Sequence, residues 1–503
     1  MAAPNEPAID ELPSKAGEKL RAWPAKPLAP SIESELPQDL ILALYGEKRV
    51  SISSSTSTTA ALFDPLIITA WENQELLMAR VLTSVDIIEM YLKQIEQHNR
   101  RGRQLRALIS VAPKHELLKI AKNLDHERAQ GRARSPLHGI PIVLKDNIMT
   151  DMTLGMDTTV GSYAFVGAIP RKNATIVERL QKKGMIILGK SNMTEFCAVS
   201  VAAGFSTLAI GTDTIGSLIT PANRAALYAL KPTVGEIPMD GVFTLGKTFD
   251  TAGGMAKSAK DLVHLMDALM LPSRHEYEMG VHVITPVELL APSALNLEGR
   301  NCFEPIVYHE FKDTLNSFIK DFKSTKVHSL AEIINLNLEH PELCLPPKSP
   351  NQDDLTAAAG FNSGVLTESV QTAREHLQNE NGLERLLEEH ECDIICAPGD
   401  SALSSLAAAA GWPTAVAPLG APKLNGQPFG LVLTSPPHTE HLLLQFLTAY
   451  EATFPPRAQP LPLHTVPFMS PDEELLPDKP IVEMILHEWD TRRFSCSADA
   501  LAD

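Results

Sequence analysis

The sequence predicts an α/β fold from three observations. Amphipathic helical patterns with capping residues recur along the chain, and short apolar runs of strand length alternate with them. The chain is also long enough to build a sizeable core, since 44% of its 503 residues are hydrophobic. We therefore expect helices packed against a sheet.

The first clear helix is predicted to follow Thr83. Thr83 and Asp86 stand three residues apart in a capping-box-like pattern, in which each side chain can bind the other residue's backbone N–H. The apolar residues behind this cap recur at helical spacing and share one face: Val85, Ile88, Leu92 and Ile95. We expect this helix to be scaffold.

A helix followed by a strand is predicted further along the chain. The helix covers residues 174–183, with Asn173 as a candidate N-cap and Gly184 as its stop. The strand covers residues 185–188. We expect the pair to pack behind a functional site.

The second half of the chain has weaker patterns. Residues 273–390 mix Pro-rich stretches with helical periodicity at residues 311–322. Residues 393–395 are predicted to form a buried strand. Cys392 and Cys396 flank that strand, so we expect packing rather than metal binding from them.

A serine on a glycine-bearing turn is the first candidate for chemistry. Residues 211–217 read GTDTIGS, and Ser217 follows a short apolar segment. Such a turn can present a hydroxyl beside free backbone N–H groups, which amide hydrolysis needs as nucleophile and oxyanion donors. The alternative is an ordinary turn-forming serine.

A lysine at the end of an apolar run is the second candidate. Residues 137–147 read LHGIPIVLKDN, which predicts a buried strand at 140–144 that delivers Lys145. Burial disfavours the ammonium form, and Ser-Lys pairs activate hydroxyls in some hydrolases. The alternative is a strand-end lysine paired with Asp146.

These two segments and the text around them resemble the amidase signature family from about residue 67 to about residue 462. The matching stretches occur in one order: 82–86, 124–128, 136–147, 158–162, 189–196 (GKSNMTEF), 211–217, 230–235 (LKPTVG), 250–253 (DTAG), 410–413, 418–420 and 425–430. The resemblance implies a mixed central β-sheet covered by helices on both faces. It also implies an amidase domain at residues 61–465, between a polar extension at 1–60 and a tail at 466–503.

The resemblance implies Ser217 as nucleophile and Lys145 as base. Relatives carry a relay serine on a Gly/Ser-rich loop between these two residues. Here the chain runs from Glu195 through CAVS at 197–200 directly into residues 201–204, without that loop. Lys145 would then reach Ser217 directly, through water or through a substitute, and the candidates are Ser200 and Ser191. The structural interpretation of both serines is a small buried hydroxyl that bonds to a carbonyl of its own helix.

The nucleophile turn departs from relatives at two positions. Ile219 stands where many members have an arginine that binds a substrate carboxylate, and an apolar residue cannot bind an anion in that way. The pattern is closer to fungal-type amidases of small neutral or aromatic amides. Ile215 replaces a common glycine and would be strained at positive φ.

Composition excludes several classes of function. A formal net charge of -17 without a basic stripe argues against a nucleic-acid surface. The six cysteines show no CxxC pair and the 16 histidines no metal-binding cluster, so we expect no metal, no cofactor and free thiols. His138 is the one histidine near the candidate site, and packing is the simpler interpretation.

The chain ends and its hydropathy give the remaining expectations. Residues 51–59 are a Ser/Thr run that predicts a linker, and residues 483–489 predict a short helix. No apolar run reaches the length of a membrane span, and the N-terminus lacks a secretory pattern. We therefore expect a cytoplasmic protein, with the oligomeric state open and a homodimer as one option.

The sequence as a whole predicts an amidase for small neutral linear amides. Ser217 would form the acyl-enzyme and Lys145 would take its proton. The backbone N–H groups of Thr214, Ile215, Gly216 and Ser217 would bind the oxyanion. The alternative is a catalytically impaired relative that keeps a binding or partner role.

Overall fold

The computed structural model describes residues 63–460 except 271–282, 285–286, 348–349, 362–366 and 422–425. Four predictions lie outside the described residues: the extension at 1–60, the linker at 51–59, the tail at 466–503 and the helix at 483–489.

A nine-stranded mixed sheet forms the centre of the described chain. In chain order the strands are β1 Leu108–Val111, β2 Pro141–Lys145, β3 Ile169–Pro170, β4 Ile186–Ser191, β5 Leu208–Asp213, β6 Tyr228–Lys231, β7 Thr251–Ala256, β8 Asn296–Leu297, β9 Arg300–Asn301, β10 Phe322–Ser324, β11 Ile395–Pro398, β12 Thr414–Gly420 and β13 Phe429–Thr434. The order across the large sheet is β1-β4-β2-β5-β7-β6-β12-β13-β11, and β3/β10 and β8/β9 form two small separate pairs. β2 runs parallel to both β4 and β5, and the other neighbours in the large sheet are antiparallel.

Helices flank this sheet. They are α1 Ala70–Met78, α2 Ser84–His98, α3 Lys114–Ala129, α4 Thr175–Lys182, α5 Phe196–Ala202, α6 Ile219–Arg224, α7 Ala259–Leu269, α8 Phe303–Lys320, α9 Leu330–Glu339, α10 Pro341–Cys344, α11 Asp353–Gly360, α12 Glu368–Asn379, α13 Leu383–His390, α14 Leu403–Ala410 and α15 Glu440–Thr453. α5 packs on β5, α7 on β7 and α15 on β12. The predicted α/β fold with a mixed central sheet is confirmed.

The middle strands are buried along their whole length. Every residue of β2, β4, β5 and β7 is buried, which explains why these strands read as apolar runs rather than as alternating patterns. Gly253 in β7 permits close strand packing, because a Cβ there would lie 2.3 Å from the Leu230 carbonyl oxygen. The site described below lies where β2 and β5 end and β7 begins.

The predicted helix after Thr83 is α2. The Asp86 N–H donates to the Thr83 hydroxyl (3.1 Å), and the Asp86 carboxylate accepts from the Thr83 N–H (2.8 Å). Asp125 of α3 adds a second acceptor, for the Ser84 N–H (2.8 Å). The capping box is therefore confirmed, and α2 is fixed to α3 at its first turn.

The helix predicted over residues 174–183 is α4, but its cap was predicted wrongly. Ala174 is the N-cap and offers no side-chain acceptor. The Asn173 side chain instead accepts from the Asp151 N–H (2.7 Å) and donates to the Asp151 carboxylate (3.0 Å). Because its side chain is bonded to Asp151, Asn173 does not cap the helix. Gly184 ends the helical region as expected, with a φ of +82°.

Two boundaries in the second half differ from the sequence expectation. α8 begins at Phe303, eight residues before the predicted start at 311, and Pro305 is compatible with this start because it lies in the first turn, where its missing N–H costs nothing. β11 begins at Ile395 because the chain first turns through Glu391, which has a φ of +48°. Of residues 393–395, predicted as a buried strand, only Ile395 lies in β11 and is buried, and the flanking Cys396 is exposed.

Candidate active site

Lys145 is the last residue of β2 and is buried, with 4% of its surface exposed. Its Nζ donates to the Thr212 hydroxyl (3.1 Å) and to the Thr212 carbonyl oxygen (3.3 Å). Burial lowers the pKa of Lys145, although the negative charges of Asp213 and Asp250 oppose that change by attraction. A larger fraction of this amine is therefore neutral than at an exposed lysine.

Asp146 is not the partner of Lys145, so the ion-pair alternative is wrong. The Asp146 carboxylate accepts from the Thr159 N–H (3.0 Å) and the Gly161 N–H (3.2 Å). Its nearest ammonium is Lys190 of β4, at 3.9 Å. Lys190 is fully buried and also donates to the Thr158 hydroxyl (3.1 Å). A second buried lysine, which the sequence did not single out, is therefore the positive charge that faces Asp146.

Thr212 of β5 is a site residue that sequence reasoning missed. Its hydroxyl accepts from the Asn147 side-chain amide (3.0 Å) in addition to Lys145. Asn147 is itself fixed, because the same amide donates to the Phe243 carbonyl oxygen (2.9 Å). Thr212 lies next to Lys145 because β2 and β5 pair in parallel, with Leu144 beside Ile210. This strand pairing is the feature that could have indicated Thr212.

The turn that carries Ser217 is organised by Asp213, the last residue of β5. One carboxylate oxygen accepts from the Gly216 N–H (2.8 Å), and the other accepts from the N–H groups of Leu218 (2.8 Å) and Ile219 (3.2 Å). Gly216 has a φ of +151°, a conformation that favours glycine. Ser217 is half-buried between these anchored amides, and its hydroxyl has no hydrogen-bond partner among the described residues.

The expected oxyanion donors fall into two groups. The Gly216 N–H is bound to the Asp213 carboxylate (2.8 Å), so only a shared hydrogen bond could reach a substrate. Across the described part of the chain, the N–H groups of Thr214, Ile215 and Ser217 have no internal acceptor. Ile215 keeps a negative φ, so the anticipated strain is absent. Three of the four expected donors remain free.

Lys231 and Asp250 lie on either side of Thr214. Lys231 Nζ donates to the Thr214 carbonyl oxygen (2.7 Å) and lies 3.1 Å from Asp213. Asp250 lies across from Thr214 where β5 pairs with β7, and its carboxylate accepts from the Leu245 N–H (2.7 Å). Burial raises the pKa of Asp250 to about 7, against the lowering effect of the Leu245 N–H and of Lys231. The start of the nucleophile turn thus lies between a buried ammonium and a buried carboxyl.

Asp250 gives a testable pH dependence of stability. Its pKa is higher in the folded than in the unfolded protein, so its contribution to the free energy of unfolding is complete below about pH 4 and is lost as the pH rises through about 7. Asp250→Asn keeps an acceptor for Leu245 and cannot ionise. We expect its stability relative to the wild type to rise between pH 4 and 7, as measured by urea unfolding across that range. Parallel curves for the two proteins would contradict the raised pKa.

Comparison with known proteins shows which proteins this chain is similar to. The Amidase family model matches residues 86–200 and 197–298, a region that includes both Lys145 and Ser217. A protein of Arabidopsis thaliana named a probable amidase is 26% identical over 501 residues, which cover 83% of this chain and 94% of that protein. The peptide amidase of Stenotrophomonas maltophilia has a similar crystal structure, with a TM-score of 0.67 at 26% identity, and the match covers 78% of this chain and 98% of the peptide amidase. The chain is therefore similar to amidases in sequence and in fold.

A part of a tRNA-dependent enzyme is also similar to this chain. One of the subunits of the glutamyl-tRNA(Gln) amidotransferase of Symbiobacterium thermophilum is 33% identical over 265 residues, which cover 43% of this chain and 53% of that protein.

In this chain, the position two residues after Ser217 is Ile219. The Ile219 side chain is buried in the core, and only its N–H reaches the site, where it donates to Asp213.

In the described part of the chain, neither serine suggested as a substitute relay has its hydroxyl hydrogen-bonded to Lys145 Nζ. The Ser200 hydroxyl donates to the Cys197 carbonyl oxygen (2.7 Å) within α5, as the structural interpretation predicted. The Ser191 hydroxyl bonds to the Asn192 carbonyl oxygen (2.9 Å) and lies 2.9 Å from Cys197 Sγ. Burial raises the pKa of Cys197 to about 11, so this thiol stays protonated.

His138 is a packing residue. Its Nε2 lies 2.9 Å from the Leu124 carbonyl oxygen, and its Nδ1 lies 3.2 Å from the Arg134 N–H. A neutral ring that donates from Nε2 and accepts at Nδ1 satisfies both contacts. Burial lowers the pKa of His138, which also favours the neutral ring. Its role is to join α3 to the segment before β2.

Other kinds of site find no support in the described ranges. The described residues contain no cluster of three or more His, Cys, Asp or Glu side chains that could hold a metal ion. None of their helices has the length and hydropathy needed to cross a bilayer.

Proposed function

We propose that this protein is an amidase, which hydrolyses the carbon–nitrogen bond of small neutral linear amides through an acyl-enzyme on Ser217. The observation that carries the proposal is the buried amine of Lys145. Lys145 Nζ contacts Thr212 in the strand that leads directly into the Ser217 turn. A poorly hydrated lysine can serve as a base near neutral pH, and a serine hydroxyl needs such a base to become a nucleophile.

The reaction divides into two acyl transfers. Ser217 Oγ forms a bond to the amide carbon while its proton leaves for Lys145, and the carbonyl oxygen becomes an oxyanion. The free N–H groups of Thr214, Ile215 and Ser217 are the proposed donors to that oxyanion, with a shared contribution from Gly216. Lys145 then returns the proton to the departing nitrogen. Water repeats the sequence on the ester to release the acid.

The preference for neutral amides rests on what the turn lacks. Ile219 is buried and apolar, so it provides no guanidinium fork for a substrate carboxylate. The charged groups next to the turn also have partners, since Lys231 is paired with Asp213 at 3.1 Å. We therefore expect an uncharged acyl group to bind better than one that carries a carboxylate.

A cytoplasmic location remains a prediction. The described cysteines are all free thiols, as expected for a reducing compartment: Cys197, Cys302, Cys344, Cys392 and Cys396. A homodimer likewise remains one option for the oligomeric state.

Covalent labelling and turnover test the proposed function together. The wild-type protein is treated with a fluorophosphonate, and the labelled residue is identified by peptide mass spectrometry. We expect capture at Ser217, and ammonia release from propionamide and benzamide at a higher kcat/KM than from glutamine. A folded protein that takes no label and releases no ammonia would instead support the alternative, a binding role without catalysis. Faster release from glutamine would overturn only the substrate preference.

A further inference from the structure

We infer that the Thr212 hydroxyl is the proton relay between Ser217 and Lys145, so that Thr212 is a catalytic residue of this protein. The inference rests on the proposed function and adds a residue to it. Within the part of the chain that the structure describes, Thr212 supplies the hydroxyl in contact with Lys145 Nζ, at 3.1 Å. The serines that might have taken this place, Ser191 and Ser200, bond elsewhere.

The hydrogen-bond capacity of Thr212 suits a relay. A hydroxyl has one proton to donate and two lone pairs that accept. The Asn147 amide occupies one lone pair at 3.0 Å and is held in place by the Phe243 carbonyl oxygen. When Lys145 is neutral, the Thr212 proton can point at Nζ. The second lone pair is then free to accept the proton of Ser217.

Asp213 fixes the nucleophile turn at the end of the strand that carries Thr212. It follows Thr212 directly, and its carboxylate binds the N–H groups of Gly216 and Leu218, each at 2.8 Å. These two residues are the immediate neighbours of Ser217 on either side. The backbone around Ser217 is therefore tied to the residue next to Thr212, while its hydroxyl remains free of any partner in the described ranges.

The relay moves two protons in one direction and returns them later. As Ser217 Oγ bonds to the amide carbon, its proton passes to Thr212 Oγ1, and the proton that Thr212 carried passes to Lys145 Nζ. Lys145 becomes an ammonium that Asp213 and Asp250 attract. When the carbon–nitrogen bond breaks, the two transfers reverse and the departing nitrogen is protonated. Thr212 ends each half-reaction as it began.

Matched substitutions at one position test the relay. Thr212→Val keeps the shape without the hydroxyl, whereas Thr212→Ser keeps the hydroxyl. We expect Thr212→Val to lower kcat by about 100-fold or more with KM little changed, as for loss of general acid–base catalysis, and Thr212→Ser to recover most of the rate. Ser200→Ala is the control, since it removes a buried hydroxyl that bonds only within α5, and we expect it to match the wild type. Thermal unfolding of each variant checks that it is folded.

A second measurement needs no variant and can overturn the relay even if Thr212→Val fails to fold. The rate of the wild-type protein is measured in mixtures of H₂O and D₂O. Two protons in flight predict a curved dependence on the deuterium fraction, and direct transfer to Lys145 predicts a straight line. A straight line, or a Thr212→Val protein as active as the wild type, overturns the relay and leaves Ser217 and Lys145 in place. A wild-type protein that neither takes the fluorophosphonate nor hydrolyses amides overturns the proposed function, and the relay with it.

Discussion

Replacing Lys145 by methionine is expected to lower kcat/KM for neutral amides by about 10⁴-fold or more. The members of a catalytic set act as a unit, so losing the proposed base removes most of the contribution of the Ser217 nucleophile as well. Methionine fills a similar volume without an amine. The fold is expected to survive, since the buried ammonium is costly to keep away from water and its replacement by an apolar side chain is often neutral or stabilising. A temperature of unfolding at or above that of the wild type, together with lost activity, is the expected result.

The pH dependence of the rate supplies the matching control. Only the neutral amine can take a proton, so the wild-type rate is expected to rise as the pH increases through the pKa of Lys145. Burial places that pKa below the ordinary lysine value. The residual rate of Lys145→Met should lack this rise. A variant that keeps the wild-type rate and pH profile would show that another group is the base.

The elements that could be predicted from the sequence are those with a local cause. The capping box of Thr83 and Asp86 starts α2, and the uninterrupted apolar run before Lys145 forms β2. The burial of Lys145 followed from the same run, because a lysine at the end of a fully buried strand lies at the edge of the core. Each of these features needs only a few neighbouring residues.

The partners of Lys145 could not be predicted in this way. Lys145 and Thr212 meet because β2 and β5 lie side by side, and that order is set by the packing of the whole sheet. Asp250 lies within a stretch that resembles the family, but the sequence gives it no role, since its position across from Thr214 depends on the antiparallel pairing of β5 with β7. Pairing over such distances leaves no pattern in a single run of residues.

Ser200 in α5 shows that a local environment can be predicted even where a long-range contact cannot. Local reasoning gave the correct environment for Ser200, a hydroxyl bonded to its own helix. It could not say which hydroxyl contacts the lysine instead. Three-dimensional proximity, and not the number of serines nearby in the sequence, selects Thr212.

Replacing Asp213 by asparagine is expected to be the most damaging single change in the nucleophile turn. The carboxylate serves the N–H groups of Gly216, Leu218 and Ile219 and faces Lys231 at 3.1 Å. An asparagine has one acceptor oxygen and a donating amide, so it cannot satisfy both sides, and Lys231 loses its counter-charge. Breaking a buried ion pair on one side costs about 3–5 kcal/mol of unfolding free energy. We also expect kcat/KM to fall, because the turn no longer fixes Ser217.

A double variant separates the two effects. Lys231→Met in the Asp213→Asn background removes the unpaired ammonium, so urea unfolding is expected to recover part of the lost stability, whereas activity stays low. Burial alone would raise the pKa of Asp213, but Lys231 and the turn's N–H groups hold it below its ordinary value. The wild type should therefore lose this stabilisation as the pH falls below about 4, whereas the double variant should not. A double variant with full activity would mean that the turn holds Ser217 in place without Asp213.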